Sequence, residues 1–386
     1  MRNRARCRSV WVLLGLWACT LPSAAQTTEL DASLNESVLM VPKKQWLSVA
    51  LETTLYKPDG DGPFPVVVIN HGKAYGDPRF QGRYRPGLAA RYFLQRGYAV
   101  VVPMRQGFSK SEGSYIGVGC NVESNGEVQA DDVQATLDYV VEQPWADKTR
   151  LLVIGQSHGG WTTLAFGARN YPGVRGLINF AGGLRNDSCV GWQNALARGA
   201  AEFAKTTQAS SLWFYGDNDS FFNLLTYRAM YAQYLAAGGK ARLIAFGKFG
   251  TDAHAMFGAR AGTGIWQPEV NQFLASIDMP HSPLPAMAQF GSGPYTPAPP
   301  QTDFAALEDE SKLPFVRDSG RAGYKKYLNA QPPRAFAIAA SGAWAWSEGG
   351  EDPLKRALER CATISKMTCK LYSVDQDVVW APAPTQ

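Results

Sequence analysis

From Ser37 to Tyr56 apolar and polar residues alternate and β-branched residues are frequent, the pattern of strands with one covered face. Further along the alternation disappears. "VVVIN" (66–70), "AVVVP" (99–103) and "RLLVIG" (150–155) are apolar at successive positions, as a strand must be when helices cover both sides of its sheet. The segments between them change period. "PGLAARYFLQRG" reads as a helix closed by Gly97, and "GEVQADDVQATLDYVVEQPW" puts Val133, Leu137, Val140 and Val141 on one helical face before stopping near Pro144. "GGWTTLAFGARN" is a third helix. "VRGLINFAG", "SSLWFYG" and "ARLIAFG" follow as strands, with a helical stretch before each of the last two. Buried strands alternating with helices predict an α/β fold, a mostly parallel sheet with helices on both faces.

After Ile277 the pattern ends. Met279 to Thr302 is rich in proline, glycine and small polar residues and carries no charge, which predicts a semi-extended linker. A small α+β unit follows. "RAFAIAA" reads as strand, "EDPLKRALERCATI" as a helix capped by Asp352 with Pro353 at its first position, and "CKLYSVDQDVVW" as strand again. Leu354, Ala357, Leu358 and Cys361 share one face of that helix. The expected organisation is a leader over 1–25, a large catalytic domain over 26–278, the linker over 279–302 and the small α+β domain over 303–386.

Composition sharpens this outline. The chain has 386 residues, 45% of them hydrophobic and 18% charged, enough for one large core and a small second unit. Its net charge of +5 does not point to nucleic acid, because Arg2, Arg4, Arg6 and Arg8 supply most of it and the rest is near neutral. Those arginines precede "VWVLLGLWACTLPSAAQ", too short an apolar run to span a membrane. Basic start, apolar centre and small-residue end read as a secretory signal cut after Ala25, with a periplasmic or secreted destination. A lipoprotein site at Cys19 ranks below this, because Trp17 stands where a small residue is expected. No other stretch is apolar and long enough to cross a bilayer.

Of six cysteines, Cys7 and Cys19 fall in the leader. Four remain, an even number for an oxidising compartment. Cys361 and Cys369 make a natural pair within the small unit, which leaves Cys120 with Cys189 as a bridge across the rim of the larger domain. No histidine lies near any of them, so no metal site is expected.

The chemistry centres on "LLVIGQSHGGW", where an apolar strand runs into Gly155-Gln156-Ser157-His158-Gly159. The G-x-S-x-G pattern describes a sharp strand-to-helix turn with an exposed serine oxygen, its glycines preventing collision with neighbouring elements. A serine hydroxyl attacks well only when a base removes its proton. The chain has four histidines. His281 lies in the linker, His158 adjoins the serine and diverges from it, and His71 ends the "VVVINH" strand. His254, in "GKFGTDAHAMF" after the last predicted strand, is the expected base. Asp219, in the strand-end loop of "WFYGDNDSFF", is its expected partner; Asp217 suits turn chemistry, and Asp252 lies too near His254 in sequence. The backbone N–H of His158 and that of Lys73, which follows Gly72, are the expected donors to a developing oxyanion. His71, Tyr75, Trp161 and Phe221, with Phe80 and Phe222 nearby, are expected to line an acyl pocket.

On "INHG", "GYAVVVPMRQGFSKSEG", "GQSHGG", "YGDNDSFF" and "DAHAMF" the chain resembles the α/β-hydrolase superfamily, in its dienelactone-hydrolase-like branch, over roughly residues 47–277. The order Ser157, Asp219, His254 is that of the superfamily. The resemblance implies an eight-stranded, mostly parallel sheet and cofactor-free hydrolysis of esters, of small molecules or polymer-linked. Dienelactone hydrolases carry cysteine where Ser157 stands, so a general serine esterase fits better than a dienelactone enzyme. The C-terminal "RAFAIAASGAWAWSEGGEDPLKRALERC" resembles a small secreted bacterial domain of unknown function, which implies a periplasmic or extracellular setting but no activity; contact with the cell envelope through this domain is a further expectation. Two other functions compete: a peptidase of the prolyl-oligopeptidase type, and an inactive hydrolase scaffold that binds envelope material.

Overall fold

The computed structural model describes residues 30–44, 48–291, 296–330, 332–349 and 352–382. The expected leader, with Cys7, Cys19 and the cut after Ala25, lies outside the described residues.

The chain lays down β1 (Glu36–Lys43), β2 (Val49–Tyr56), β3 (Phe64–Asn70), α1 (Gly87–Leu94), β4 (Ala99–Pro103), α2 (Val122–Val140), β5 (Ala146–Gln156), α3 (His158–Gly167), β6 (Val174–Phe180), α4 (Trp192–Ala204), β7 (Ser210–Tyr215), α5 (Leu224–Ala236), β8 (Ala241–Ala245) and α6 (Thr263–Ser276). The eight strands form one sheet in the order β1-β2-β4-β3-β5-β6-β7-β8. Only the β1–β2 and β2–β4 pairings are antiparallel. The other five are parallel, as the apolar strand pattern requires. Neighbouring residues of β3 go to opposite cores. Val66 and Val68 pack under the layer of α2 to α5, while Val67 and Ile69 pack under α1 and α6. That explains why the strand has no polar side: both faces are interior.

This strand order fixes where a site can form. From β3 the chain first adds β4 on one side and then β5 on the other, so the loops after β3 and β5 part from each other. In open parallel sheets ligands bind in the crevice opened at such a reversal, beyond the carboxyl ends of the strands. The loop of His71, Gly72 and Lys73 leaves β3 there, and Ser157 leaves β5 beside it.

A second sheet follows, built from α7 (Asp318–Leu328), β9 (Arg334–Ala339), β10 (Trp344–Glu348), α8 (Pro353–Ser365), β11 (Cys369–Val374) and β12 (Asp377–Val378), in the order β10-β9-β11-β12 with antiparallel pairings. It has an alanine-rich core under α8 and an aromatic one under α7. The side chain of Asp352 accepts the Lys355 N–H at 3.0 Å and Pro353 opens the helix, as the sequence predicts. Both sheets belong to one compact unit beginning at Asp31.

The described residues 279–291 of the expected linker lie against α1, and Pro285–Phe290 winds into a 3-10 helix where a semi-extended segment is expected. The Leu284 N–H donates to the Gln95 carbonyl (2.8 Å), Arg91 donates to the Phe290 carbonyl (2.9 Å), and Arg96 donates to that of His281 (3.0 Å). Arg91 and Arg96 are buried, and a buried guanidinium needs acceptors. A segment whose carbonyls have no strand partner supplies them.

Two disulfides form, Cys120–Cys189 and Cys361–Cys369. The first joins the loop after β4 to the loop after β6, both on the Ser157 edge of the sheet. Among the described residues no helix is long and apolar enough to cross a membrane.

Candidate active site

Ser157 sits between β5 and α3 with φ 57° and ψ −124°, a left-handed backbone that non-glycine residues seldom adopt. The flanking glycines make the turn sterically possible. A Cβ on Gly159 would stand 2.1 Å from the Asn70 carbonyl oxygen, and one on Gly155 would stand 2.2 Å from that of Gly159. The Ser157 N–H donates to the Phe180 carbonyl of β6 at 2.9 Å, which ties the turn to the next strand.

His254 lies in the loop beyond β8. Its Nδ1 is 2.9 Å from Oδ2 of Asp219, which leaves Nε2 as the free ring nitrogen. Asp219 is buried, and its other oxygen accepts the N–H groups of Phe221 and Phe222, both at 2.8 Å. The carboxylate is therefore held from two directions. Burial works to lower the His254 pKa, but the charge of Asp219 and its hydrogen bond override it, so the imidazole titrates above its usual 6.5. Asp252 accepts the backbone N–H groups of His254 (2.9 Å) and Ser220 (3.0 Å), shaping the loop. Asp217 turns away to accept the Tyr227 hydroxyl. Gln156, next to the serine, donates to the His254 carbonyl at 3.1 Å, so the two loops meet. Ser157 Oγ and His254 Nε2 have no hydrogen-bond partner among the described residues.

The other two histidines near the turn are held differently. His71 Nδ1 is 2.6 Å from the Gly72 carbonyl, and its Nε2 accepts the Arg105 N–H at 3.0 Å. His158 Nε2 is 2.7 Å from Asn125 Oδ1, and its Nδ1 lies 3.2 Å from Arg105 Nη2. Each ring thus donates one proton and accepts another, which only a neutral imidazole does. Burial first and the Arg105 charge second hold both pKa values well below 6.5. Arg105 itself is fully buried, and burial brings its pKa down to about 10, so it remains a cation at neutral pH. Its Nη1 donates to the His71 carbonyl at 2.7 Å and its Nε to Gln129 at 3.2 Å. One guanidinium therefore braces both the Gly72–Lys73 loop and His158. His158 opens α3, so its N–H has no acceptor within the helix. Lys73 follows Gly72, where a Cβ would come 3.3 Å from that of Ser157. Lys73 and His158 thus belong to the two segments that flank Ser157.

The family model of the X-Pro dipeptidyl-peptidases (S15 family) matches residues 48–223, somewhat under half of the chain. Cocaine esterase of Rhodococcus sp. (strain MB1 Bresler) is 31% identical over 111 residues, 29% of this chain and 17% of that protein. Protein bem46 of Schizosaccharomyces pombe is 30% identical over 95 residues, 25% of this chain and 29% of that protein. The chain thus spans less than a third of either relative. Among solved structures, a Pyrococcus furiosus esterase superposes over 64% of this chain and 92% of its own, with a TM-score of 0.46 and 16% identity. The large sheet with its flanking helices has the α/β-hydrolase fold.

Around Ser157 and His254 the expected lining residues separate. Tyr75 is exposed and stacks on Phe221 (centroids 5.8 Å), which lies 4.4 Å from the His254 ring, and Phe222 is 5.7 Å from it. His71 lines the adjoining cleft, though its ring nitrogens are committed. Trp161 does not belong there. It is fully buried behind the turn, donating to the Val122 carbonyl at 2.7 Å and packing on Phe203. As the third residue past His158 in α3 it points into the helical layer, away from the strand ends. Arg105 and Asn125 went unforeseen. An arginine directly after a buried strand, in "VVVPMR", was the available signal.

Proposed function

We propose that the chain is an exported serine hydrolase of carboxylic esters, with Ser157 as nucleophile, His254 as base and Asp219 as the group that orients it. His254 Nε2 takes the Ser157 Oγ proton as Oγ bonds to the ester carbonyl carbon, and the oxyanion accepts from the N–H groups of Lys73 and His158. The C–O bond to the alcohol then breaks as His254 returns the proton to the leaving oxygen. Water, deprotonated by the same imidazole, releases the acid and regenerates the serine.

The observation that carries this reading is the His254–Asp219 hydrogen bond. It frees Nε2 of an imidazole poised above 6.5, in a loop that touches the residue before Ser157. The relatives named as hydrolases, one of them an esterase, agree with it. Export is supported by the two disulfides and by the leader read from the sequence. Contact with the cell envelope through the second sheet remains part of the same proposal. A peptidase acting after proline is the second reading, favoured by the S15 family match.

The test is labelling of purified mature protein with a fluorophosphonate, beside Ser157→Ala and His254→Ala. Labelling of the wild type alone is expected, with turnover of short-chain esters exceeding that of Ala-Pro-p-nitroanilide. The reverse preference would favour the peptidase. Folded wild-type protein that stays unlabelled would move the assignment to a binding scaffold.

A further inference from the structure

Next to Gly72 opens a cleft of about 530 Å³, walled on one side by the loop after β3 and on the other by α7 and β10 of the second sheet. Its lining includes Tyr75 and Tyr84 from the hydrolase and Lys326, Asn329 and Trp346 from the C-terminal unit. The two parts meet firmly around it. Thr251 Oγ1 lies 3.1 Å from Gln376 Oε1, and a Cβ on Gly258 would stand 2.5 Å from the Pro332 carbonyl oxygen, so the second sheet abuts the loop that carries His254.

Three features narrow what the cleft takes. Its volume lies in the range that holds a ring-sized or larger ligand, well beyond the needs of an acetyl group. The lining contains no leucine, isoleucine or valine; its apolar surface comes mainly from Tyr75, Phe80, Tyr84 and Trp346, with Met104. Aromatic faces favour a stacked planar ring over a flexible alkyl chain. The charges are unequal in availability. The acidic groups of the lining are Asp77, which caps a helical turn through the Arg79 N–H, and Glu348, which has a further interaction; its one cation is Lys326, whose Nζ has no ion pair or hydrogen bond among the described residues.

We propose that this cleft is a substrate subsite for an ester bearing an aromatic ring with an anionic substituent, the ring against Trp346 and the anion toward Lys326. The C-terminal unit is thereby the specificity element of the hydrolase. The proposal rests on the serine-hydrolase reading for its chemistry, while its binding step is testable without turnover.

Monomethyl terephthalate carries the ring in its acyl half, 4-carboxyphenyl acetate in its alcohol half. Calorimetric titration of both into full-length Ser157→Ala is expected to show binding of at least one, weakened at least fivefold when Trp346→Ala or Lys326→Ala is added. In the Ser157 protein the same changes should lower kcat/KM for the bound ester, relative to methyl butanoate, at least fivefold through KM. Absence of binding by either ester, or an affinity indifferent to both substitutions, overturns the subsite even if fluorophosphonate labels Ser157. Binding that depends on Trp346 in a protein that resists labelling keeps the subsite and removes the serine chemistry.

Discussion

Three imidazoles stand close to Ser157, and two kinds of neighbour divide them. His254 faces a carboxylate, which outweighs burial and lifts its pKa above 6.5. His71 and His158 face the Arg105 guanidinium, which adds to burial and keeps them neutral with both nitrogens committed. On the proposed reading the same side chain is a proton carrier in one position and a fixed strut in the other two. What decides the role is the sign of the nearest charge and whether one ring nitrogen is left free. Distance from the serine along the chain is no guide, since His158 adjoins it.

The contrast can be broken most severely at its reactive end. His254→Ala should lower kcat by at least about 10³-fold, whereas His158→Gln should cost less than about a hundredfold, the scale of a positioning loss. Steady-state rates on a short-chain ester compare them, and equal losses would erase the distinction. Asp219→Asn comes next, with a fall of about 10²- to 10⁴-fold. It should also reshape the pH profile. Activity needs neutral His254, so in the wild type kcat/KM should rise with pH through a midpoint above 6.5 and be lost on acidification. Without the carboxylate, burial is opposed only by the smaller contribution of Asp252, and the midpoint should move to lower pH. A limb that does not move would mean that another group controls it. Arg105→Met is the mildest in rate. Misaligning both backbone donors should cost about ten- to a hundredfold in kcat with KM little changed, below the loss of a donor outright. The three acceptors left unpaired also destabilise the fold, so a thermal melt should accompany the kinetics.

How much of this was legible in the sequence depended on how local the cause was. Strands such as Val66–Asn70 declare themselves because burial on both faces forbids polar residues. Ser157 is marked by glycines that no other residue could replace, and His254 by the scarcity of histidines together with its place after the last strand. The disulfide partners followed from counting. What stayed hidden depends on distant partners. The α7 segment "DSGRAGYKKYL" reads as polar and glycine-broken, yet Gly320 and Gly323 are the surface against which the Trp344 ring lies; a Cβ on Gly323 would stand 2.2 Å from it. The contact of residues 279–291 with α1 was not legible, because the acceptors serve Arg91, about two hundred residues earlier in the chain. Trp161 seemed available to substrate because aromaticity does not say which side of a helix faces the core. The brace of Arg105 and Asn125 is tertiary from the start.

The left-handed backbone of Ser157 has an evolutionary side. Holding a non-glycine residue in so sparsely populated a conformation costs on the order of 1–3 kcal/mol, a noticeable share of a typical domain's stability. Glycine would relieve it without disturbing any neighbour. On the proposed reading, the most durable form of this chain is therefore not its working form, and selection for heat tolerance alone would discard the proposed nucleophile.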